Sequence, residues 1–310
     1  MSLRVLLASS SRYSLPLLQA IQNEPRIDFL GLVSTPDRPK GRHATPSPNE
    51  LVESLQNDGI PLWKPEGESE LLDVIESLEP DLVLVVAYGR LLKRPTIEAV
   101  PRGWINLHFS LLPRFRGAAP VQRAILEGDG VFGFTFFQID EGMDTGPIYL
   151  QKEVTVDETA MATEILNQIA FEGAAALPQV ITMVLAHQSP HVQTGEASQA
   201  PKFSKQELRL DTGANTEAML RQIRAFTRSP GVWFEFNGQR CIITAARSFE
   251  AQVSSNVVSS LNDCALLGSG DGAIEILRIK PEGKREMSGI EWLRGLRFAP
   301  GESRSIGQSL

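Results

Sequence analysis

Apolar and polar positions follow two rhythms along the first half of the chain. Leu3–Ala8 is a short, nearly all-apolar run, as a strand buried on both faces requires. Leu15–Ile21 follows with helical spacing, and Ile27–Ser34 reads as a second strand. Asn49–Asp58 has helical periodicity through Leu51, Val52 and Leu55, and Leu62–Pro65 is extended. Glu68–Leu78 is a helix that Pro80 stops. Leu82–Ala87 is the clearest buried parallel strand, and Trp104–Leu107 is another. A helix over Ala118–Glu127 and strands over Phe132–Gln138 and Pro147–Val156 continue the series. This alternation predicts an α/β unit on a doubly wound, mostly parallel sheet.

The pattern then changes. A long helix over Ala162–Leu185, disturbed at Pro178, gives way to a polar stretch without periodicity from Gln188 to Gln199. Beyond it, Thr216–Phe226 is one helix. Val232–Phe236 and Gln239–Ile243 are two β-rich runs joined by Asn237-Gly238, a strong hairpin signal. Ala265–Gly268 and Ala273–Ile279 add strands around Gly270-Asp271-Gly272. Short strands at this spacing predict a small β-barrel. The expected division is a catalytic domain over 1–187, a linker over 188–204 and a second domain over 205–310.

At 310 residues, with 42% hydrophobic and 22% charged positions, the chain has an ordinary globular composition and room for two cores. No apolar run approaches bilayer-spanning length, so no membrane partner is expected. The first apolar run is too short for a signal-peptide core, so the cytoplasm is the expected location. Cys241 and Cys264 fit no metal or redox spacing and read as free thiols. With histidines only at 43, 108, 187 and 191, a zinc site is not expected. The net charge of −7 argues against a general nucleic-acid binder. The halves differ, however. Residues 1–200 hold 15 Lys and Arg against 25 Asp and Glu (−10), and residues 201–310 hold 15 against 12 (+3). Such asymmetry fits a basic module serving an acidic enzyme domain, and equally a chance distribution.

The densest chemistry lies at Asn106-Leu107-His108, whose alternation places Asn106 and His108 on one face of a strand end. Catalytic groups of open α/β sheets gather at the carboxyl ends of strands. Some 36 residues on, Asp140–Gly146 is acidic and glycine-bearing, and could bring Asp144 to His108. Formyl transfer to an amine needs little more. Donors must meet a developing oxyanion, and a proton must leave the amine and reach the departing nitrogen. An Asn amide and a His can donate, and a carboxylate can hold the His charged. Taken singly, each residue also has a plain structural reading: a lone histidine in a core, an aspartate in a turn.

At these residues a resemblance enters. Asn106-x-His108, Ser110-Leu111-Leu112-Pro113 and Asp144 resemble the signature of the folate-dependent formyltransferases. Arg114–Ile125 (RFRGAAPVQRAI), Pro36–Arg42 (PDRPKGR), Val86–Gly89, Ala200–Lys202, Gln222–Phe226 and Gly283-Lys284-x-x-Met287-Ser288 resemble the branch that formylates methionyl initiator tRNA. These matches run from residue 36 to about 298. The resemblance implies a Rossmann-like N-terminal domain with a C-terminal barrel like an OB-fold. It implies catalytic roles for Asn106, His108 and Asp144, folate contacts at Ser110, Leu111, Leu112 and Pro113, and 10-formyltetrahydrofolate as donor. One segment departs from the family. Gly-Thr-Pro, then an acidic and an aromatic residue, usually follow the first strand; here Ser9-Ser10-Ser11-Arg12-Tyr13 stand there.

Ser34–Pro48 carries four prolines with Arg38, Lys40, Arg42 and His43, a composition that predicts an exposed, mobile loop. Its cations suit phosphates of an acceptor stem, and the family inserts this loop there. Arg221, Arg224, Arg228, Lys280, Lys284 and Arg285 are candidates for a second phosphate-tracking patch, or scattered surface charge. Four competing readings remain. A small amine such as an amino sugar as acceptor needs neither basic loop nor barrel. Hydrolysis of the formyl donor could use the same trio. A nicotinamide oxidoreductase lacks its glycine-rich turn at Ala8–Ser11. A non-catalytic RNA-binding protein fits poorly with the charge.

Overall fold

The computed structural model describes residues 2–39, 45–227 and 230–306. The chain folds into two compact units: Met1–Pro120, Val131–Val156 and Glu164–Pro201 form the first, and Val121–Gly130, Asp157–Thr163 and Lys202–Leu310 the second.

In the first unit β1 (Leu3–Ser9), α1 (Leu15–Asn23) and β2 (Ile27–Val33) are followed by two-residue strands β3 (Arg38–Pro39) and β4 (Pro46–Ser47), which pair antiparallel. Then come α2 (Glu50–Ser54), β5 (Leu62–Trp63), α3 (Glu68–Leu78), β6 (Leu82–Val86), α4 (Arg94–Glu98) and β7 (Trp104–His108). α5 (Pro120–Glu127) falls in the second unit from Val121 on, and the first unit then adds β8 (Phe132–Gln138), β9 (Ile148–Val154) and most of α6 (Ala162–Leu185). The sheet order is β5-β2-β1-β6-β7-β8-β9. From β5 to β7 every pair is parallel, while β8 and β9 are antiparallel to their neighbours. The doubly wound sheet is therefore present with an antiparallel edge.

All five residues of β6 are buried, as are all of β1 except Arg4. Strands sandwiched between helices need apolar side chains on both faces, which explains their unbroken runs. The chain leaves β1 for β2 on one side and later takes β6 on the other. Open α/β sheets bind ligands at the carboxyl ends of the strands beside such a reversal. The helix expected over Asn49–Asp58 is shorter, because Asn49 is its N-cap, accepting from Val52 N at 3.1 Å, and Leu55 already closes it. α6 runs unbroken through Pro178. Against the expectation that no segment approaches bilayer-spanning length, α6 is long and apolar enough to cross a membrane. Half of its apolar stretch is buried in the protein, as in a helix packed on a core.

The expected linker, 188–204, is bonded into the first unit along much of its length. His191 and Ile148 exchange both backbone hydrogen bonds, at 2.9 and 2.7 Å. Arg116 N donates to Ser198 O at 2.9 Å, and Ala200 N to Arg116 O at 2.6 Å.

In the second unit, Arg123 of α5 pairs with Glu207 and holds that carboxylate down to about 2. α7 (Thr216–Ala225) precedes β10 (Val232–Phe236), β11 (Gln239–Phe249), β12 (Val257–Leu261), β13 (Cys264–Gly268), β14 (Ala273–Pro281), β15 (Met287–Ser288), α8 (Gly289–Gly295) and β16 (Ser303–Ser305). The sheet is antiparallel throughout, in the order β10-β11-β14-β13-β12-β16, with β15 on β14. Asn237 (φ 50°) and Gly238 (φ 71°) make the β10–β11 turn, as their sequence requires. Register shifts between Ile243 and Ala246 bulge the long β11. Bulges bend a strand, and this sheet curls into an OB-like half-barrel. β12, β15, β16 and α8 have no counterpart in the sequence reading, although Ser288 and Glu291 form a capping box on α8.

Candidate active site

β7 ends on His108, whose side chain is only 6% exposed. A buried imidazole needs partners, and His108 has one on each side. Nε2 lies 2.9 Å from Phe115 O. A carbonyl only accepts, so Nε2 carries the hydrogen and donates it. Nδ1 faces Asp144 Oδ2 at 3.7 Å, longer than a hydrogen bond. With Nε2 committed to that carbonyl, Nδ1 is the ring nitrogen left to exchange a proton, and it does so beside a carboxylate.

Two strained residues supply these partners. Phe115 has φ 58° and Asp144 φ 52°, both in the left-handed region disfavoured by L residues. Asp144 Oδ2 also accepts from Gly117 N at 2.7 Å. Gly117 has φ 125°, and a Cβ there would meet Ala200 O at 2.7 Å, so glycine is needed at that approach. The sequence reading brought Asp144 to His108, and the structure brings them together. Asn106, two residues before His108, shares its strand face. Its Oδ1 is buried without a protein partner among the described residues. Buried polar groups are seldom left unpaired, so this amide is suited to a ligand.

Ser110, Leu112 and Pro113 are buried and Leu111 is partly so. Leu112 packs with Phe137 and Ile148. The turn is held from beneath by Thr135, whose hydroxyl donates to Ser110 O at 2.7 Å and accepts from Leu112 N at 3.1 Å. Gln151 Nε2 adds bonds to Leu112 O (2.8 Å) and Thr135 Oγ1 (3.0 Å).

The segment that departs from the family builds its turn from hydroxyls. Ser10 Oγ donates to Ala87 O at 2.8 Å, joining the loops after β1 and β6 at the sheet's reversal. Ser9 Oγ accepts from Ser11 N (3.2 Å), and Ser11 Oγ caps the short helical turn at Tyr13 N (3.4 Å). Tyr13 meets Phe109, the residue after His108, edge to face at 6.4 Å between centroids. Burial pushes the Tyr88 phenol, in the loop after β6, up to about 12, so it remains a proton donor at neutral pH.

Arg38 is exposed, whereas Lys40 and Arg42 lie outside the described residues. The candidate C-terminal patch separates into two classes. Arg221 is bound to Glu217 and Arg224 is half-buried, desolvation lowering its pKa. Lys280, Lys284 and Arg285 are exposed, and Arg228 is outside the described residues. The sequence reading missed Arg209 and Arg240, exposed side chains placed over the half-buried Trp233 ring at 5.8 and 4.7 Å. Trp233 neighbours Ile242, which neighbours Lys280, across three strands. It also missed Thr135, Gln151, Gln193 and Ser198, none of which lies in a motif. Among the described residues no three His, Cys, Asp or Glu side chains converge as metal ligands.

Residues 3–181 match the formyl transferase family and residues 202–297 its C-terminal domain. A methionyl-tRNA formyltransferase of Thermus thermophilus is 35% identical over 304 residues, 96% of this chain and 98% of that one. Among solved structures, HypX of Aquifex aeolicus in complex with tetrahydrofolic acid superposes with a TM-score of 0.67 at 16% identity, over 97% of this chain and 49% of that one. A methionyl-tRNA formyltransferase from Clostridium thermocellum gives 0.58 at 15% identity, over 81% and 95%.

Proposed function

The chain belongs to the formyl transferase family, and from that premise we propose that it transfers the formyl group of 10-formyltetrahydrofolate to the α-amino group of methionyl initiator tRNA. The observation that carries the chemistry is the buried His108, with Nδ1 turned to Asp144 and Asn106, whose buried Oδ1 has no protein partner among the described residues, on the same strand face. Near-full-length similarity to methionyl-tRNA formyltransferases supports the acceptor.

In this reading the Asn106 amide donates to the formyl oxygen as it becomes an oxyanion. The α-amino nitrogen forms a bond to the formyl carbon, and His108 Nδ1 takes the proton that nitrogen loses. Asp144 stabilises the imidazolium so formed, while Phe115 O keeps the ring oriented through Nε2. Collapse of the tetrahedral adduct breaks the bond to the folate nitrogen, which receives the proton. An α-amine is a competent nucleophile near neutral pH, so no metal is required. We assign Ser110, Leu111, Leu112 and Pro113 to the folate, and Arg38, Lys40 and Arg42 to the acceptor stem. We assign catalysis to the domain expected over 1–187, to which much of the connecting stretch 188–204 is bonded, and tRNA binding to 205–310, with Arg209 and Arg240 over Trp233 and Lys280 two strands from it as phosphate contacts. Cytoplasm is the compartment this substrate implies.

The deciding experiment compares formylation of charged initiator tRNA with that of elongator methionyl-tRNA, using 10-formyltetrahydrofolate. Initiator-specific product is expected; folate hydrolysis alone, or preference for an amino sugar, would overturn the assignment. Prior dialysis against a chelator is expected to leave the rate unchanged. Loss of activity that a single metal restores would remove the metal-free mechanism.

Arg42→Ala is expected to raise the tRNA KM or lower kcat, because loop cations neutralise phosphates and help position the amine. The tRNA affinity should become less salt-dependent while folate affinity stays unchanged. Unaltered tRNA kinetics would show that the acceptor surface lies elsewhere.

A further inference from the structure

Both partners of His108 are themselves held by one stretch of chain, residues 193–198, which no motif marks. Gln193 is half-buried, and all its hydrogen-bonding capacity is used. Its Nε2 donates to Asp144 O at 2.9 Å and Gly146 O at 2.8 Å, bracketing the turn that carries the catalytic carboxylate. Its Oε1 accepts from Arg116 Nε at 3.2 Å and Nη2 at 2.6 Å. Arg116 lies between Phe115, whose carbonyl orients His108, and Gly117, whose N–H holds Asp144. Five residues on, Ser198 Oγ accepts from Phe115 N at 2.9 Å.

We propose that Gln193 is a positioning residue for the transfer reaction: by tying Arg116 to the Asp144 turn, it fixes the carboxylate against His108 Nδ1. The physical need is plain. Asp144 occupies a left-handed conformation that its own backbone disfavours, and such strain persists only where surrounding bonds over-determine it. The 3.7 Å gap between Asp144 Oδ2 and Nδ1 also makes the carboxylate's effect depend on placement, since no hydrogen bond locks that pair. A primary amide supplies what the site requires: two donors for two carbonyls and an acceptor for a guanidinium. No other side chain of that length does both. The inference rests on the proposed roles of His108 and Asp144, and concerns a residue that touches neither substrate.

The test is a double-mutant cycle in steady-state formylation of methionyl-tRNA, with Gln193→Met and Asp144→Ala separately and together. Gln193→Met is expected to lower kcat by about 10- to 100-fold, with both KM values changed by no more than about 2-fold, as for an interaction expressed in the transition state. In the Asp144→Ala background the same substitution should cost no more than about 2-fold, because a residue acting through Asp144 has nothing left to position. A merely structural role predicts the full loss in both backgrounds, and that additivity would overturn the proposal, as would wild-type kcat in Gln193→Met. Gln193→Glu keeps the size and the Arg116 partner but turns acceptors toward the Asp144 and Gly146 carbonyls. It should lose at least as much as Gln193→Met, and wild-type turnover there would count equally against the proposal. Should Gln193→Met unfold below the assay temperature, Gln193→Glu carries the cycle. An unimpaired Asp144→Ala enzyme would instead overturn the catalytic reading itself.

Discussion

His108→Ala and Asp144→Ala each lower turnover by roughly 10²–10⁴-fold while the protein stays folded; this is the expected result for a general base and the charge that stabilises its protonated form. His108 sits at a strand end, where truncation leaves the β7 ladder intact. The two truncations differ in consequence. Loss of the ring frees Phe115 O, a local cost. Loss of the Asp144 carboxylate removes both the charge beside Nδ1 and the acceptor of Gly117 N. The effects should therefore be strongly non-additive, the double variant being hardly slower than the worse single one. Turnover, circular dichroism and KM for both substrates on the three variants check this. Near-normal turnover by a folded His108→Ala protein would remove the mechanism.

Thr135→Val destabilises the protein by about 2–4 kcal/mol and raises the KM for the folate donor. Thr135 is wholly buried, and its hydroxyl serves three groups: Ser110 O, Leu112 N and Gln151 Nε2. Valine fills the same space but leaves Ser110 O and Leu112 N without that partner in an environment water does not reach. Desolvation of orphaned groups, not lost packing, sets the cost. Because those groups belong to the turn assigned to folate, the damage should appear in donor KM before tRNA KM. Thr135→Ser retains the hydroxyl and should stay within about 1 kcal/mol of the parent, the loss of one methyl group. Denaturant melts and donor titrations on the two variants decide it. A valine variant as stable as the serine one, with unchanged donor KM, would show that the hydroxyl does not support the turn.

Much of the site was legible because its main pair is local. Asn106 and His108 share a strand, and period-two alternation sets their common face wherever the strand lies. The loop after β1 was less legible. The missing Gly-Thr-Pro left its conformation open, and three serine hydroxyls, with Ser10 reaching Ala87 O, build the turn instead. The basic residues of the second unit were legible only as a count. Burial separates Arg224 from Lys280, and helix or strand position separates the bound Arg221 from the exposed Arg240.

By itself the sequence determined the buried parallel strands, the hairpin at Asn237-Gly238 and the strand end that carries His108. Each follows from interactions within a few residues: side-chain periodicity against a core, and the φ values a turn demands. It did not determine that β8 and β9 run antiparallel at the sheet edge, since a buried apolar run reads alike in either direction. Nor could it show that part of the polar stretch after residue 188 is bonded into the first unit. Polar composition records that side chains find hydrogen bonds, not where. Only the tertiary structure decided that Gln193 finds its partners on Asp144, Gly146 and Arg116, because those bonds join positions 47 to 77 residues apart. No local pattern encodes a contact whose geometry exists only after the chain has closed.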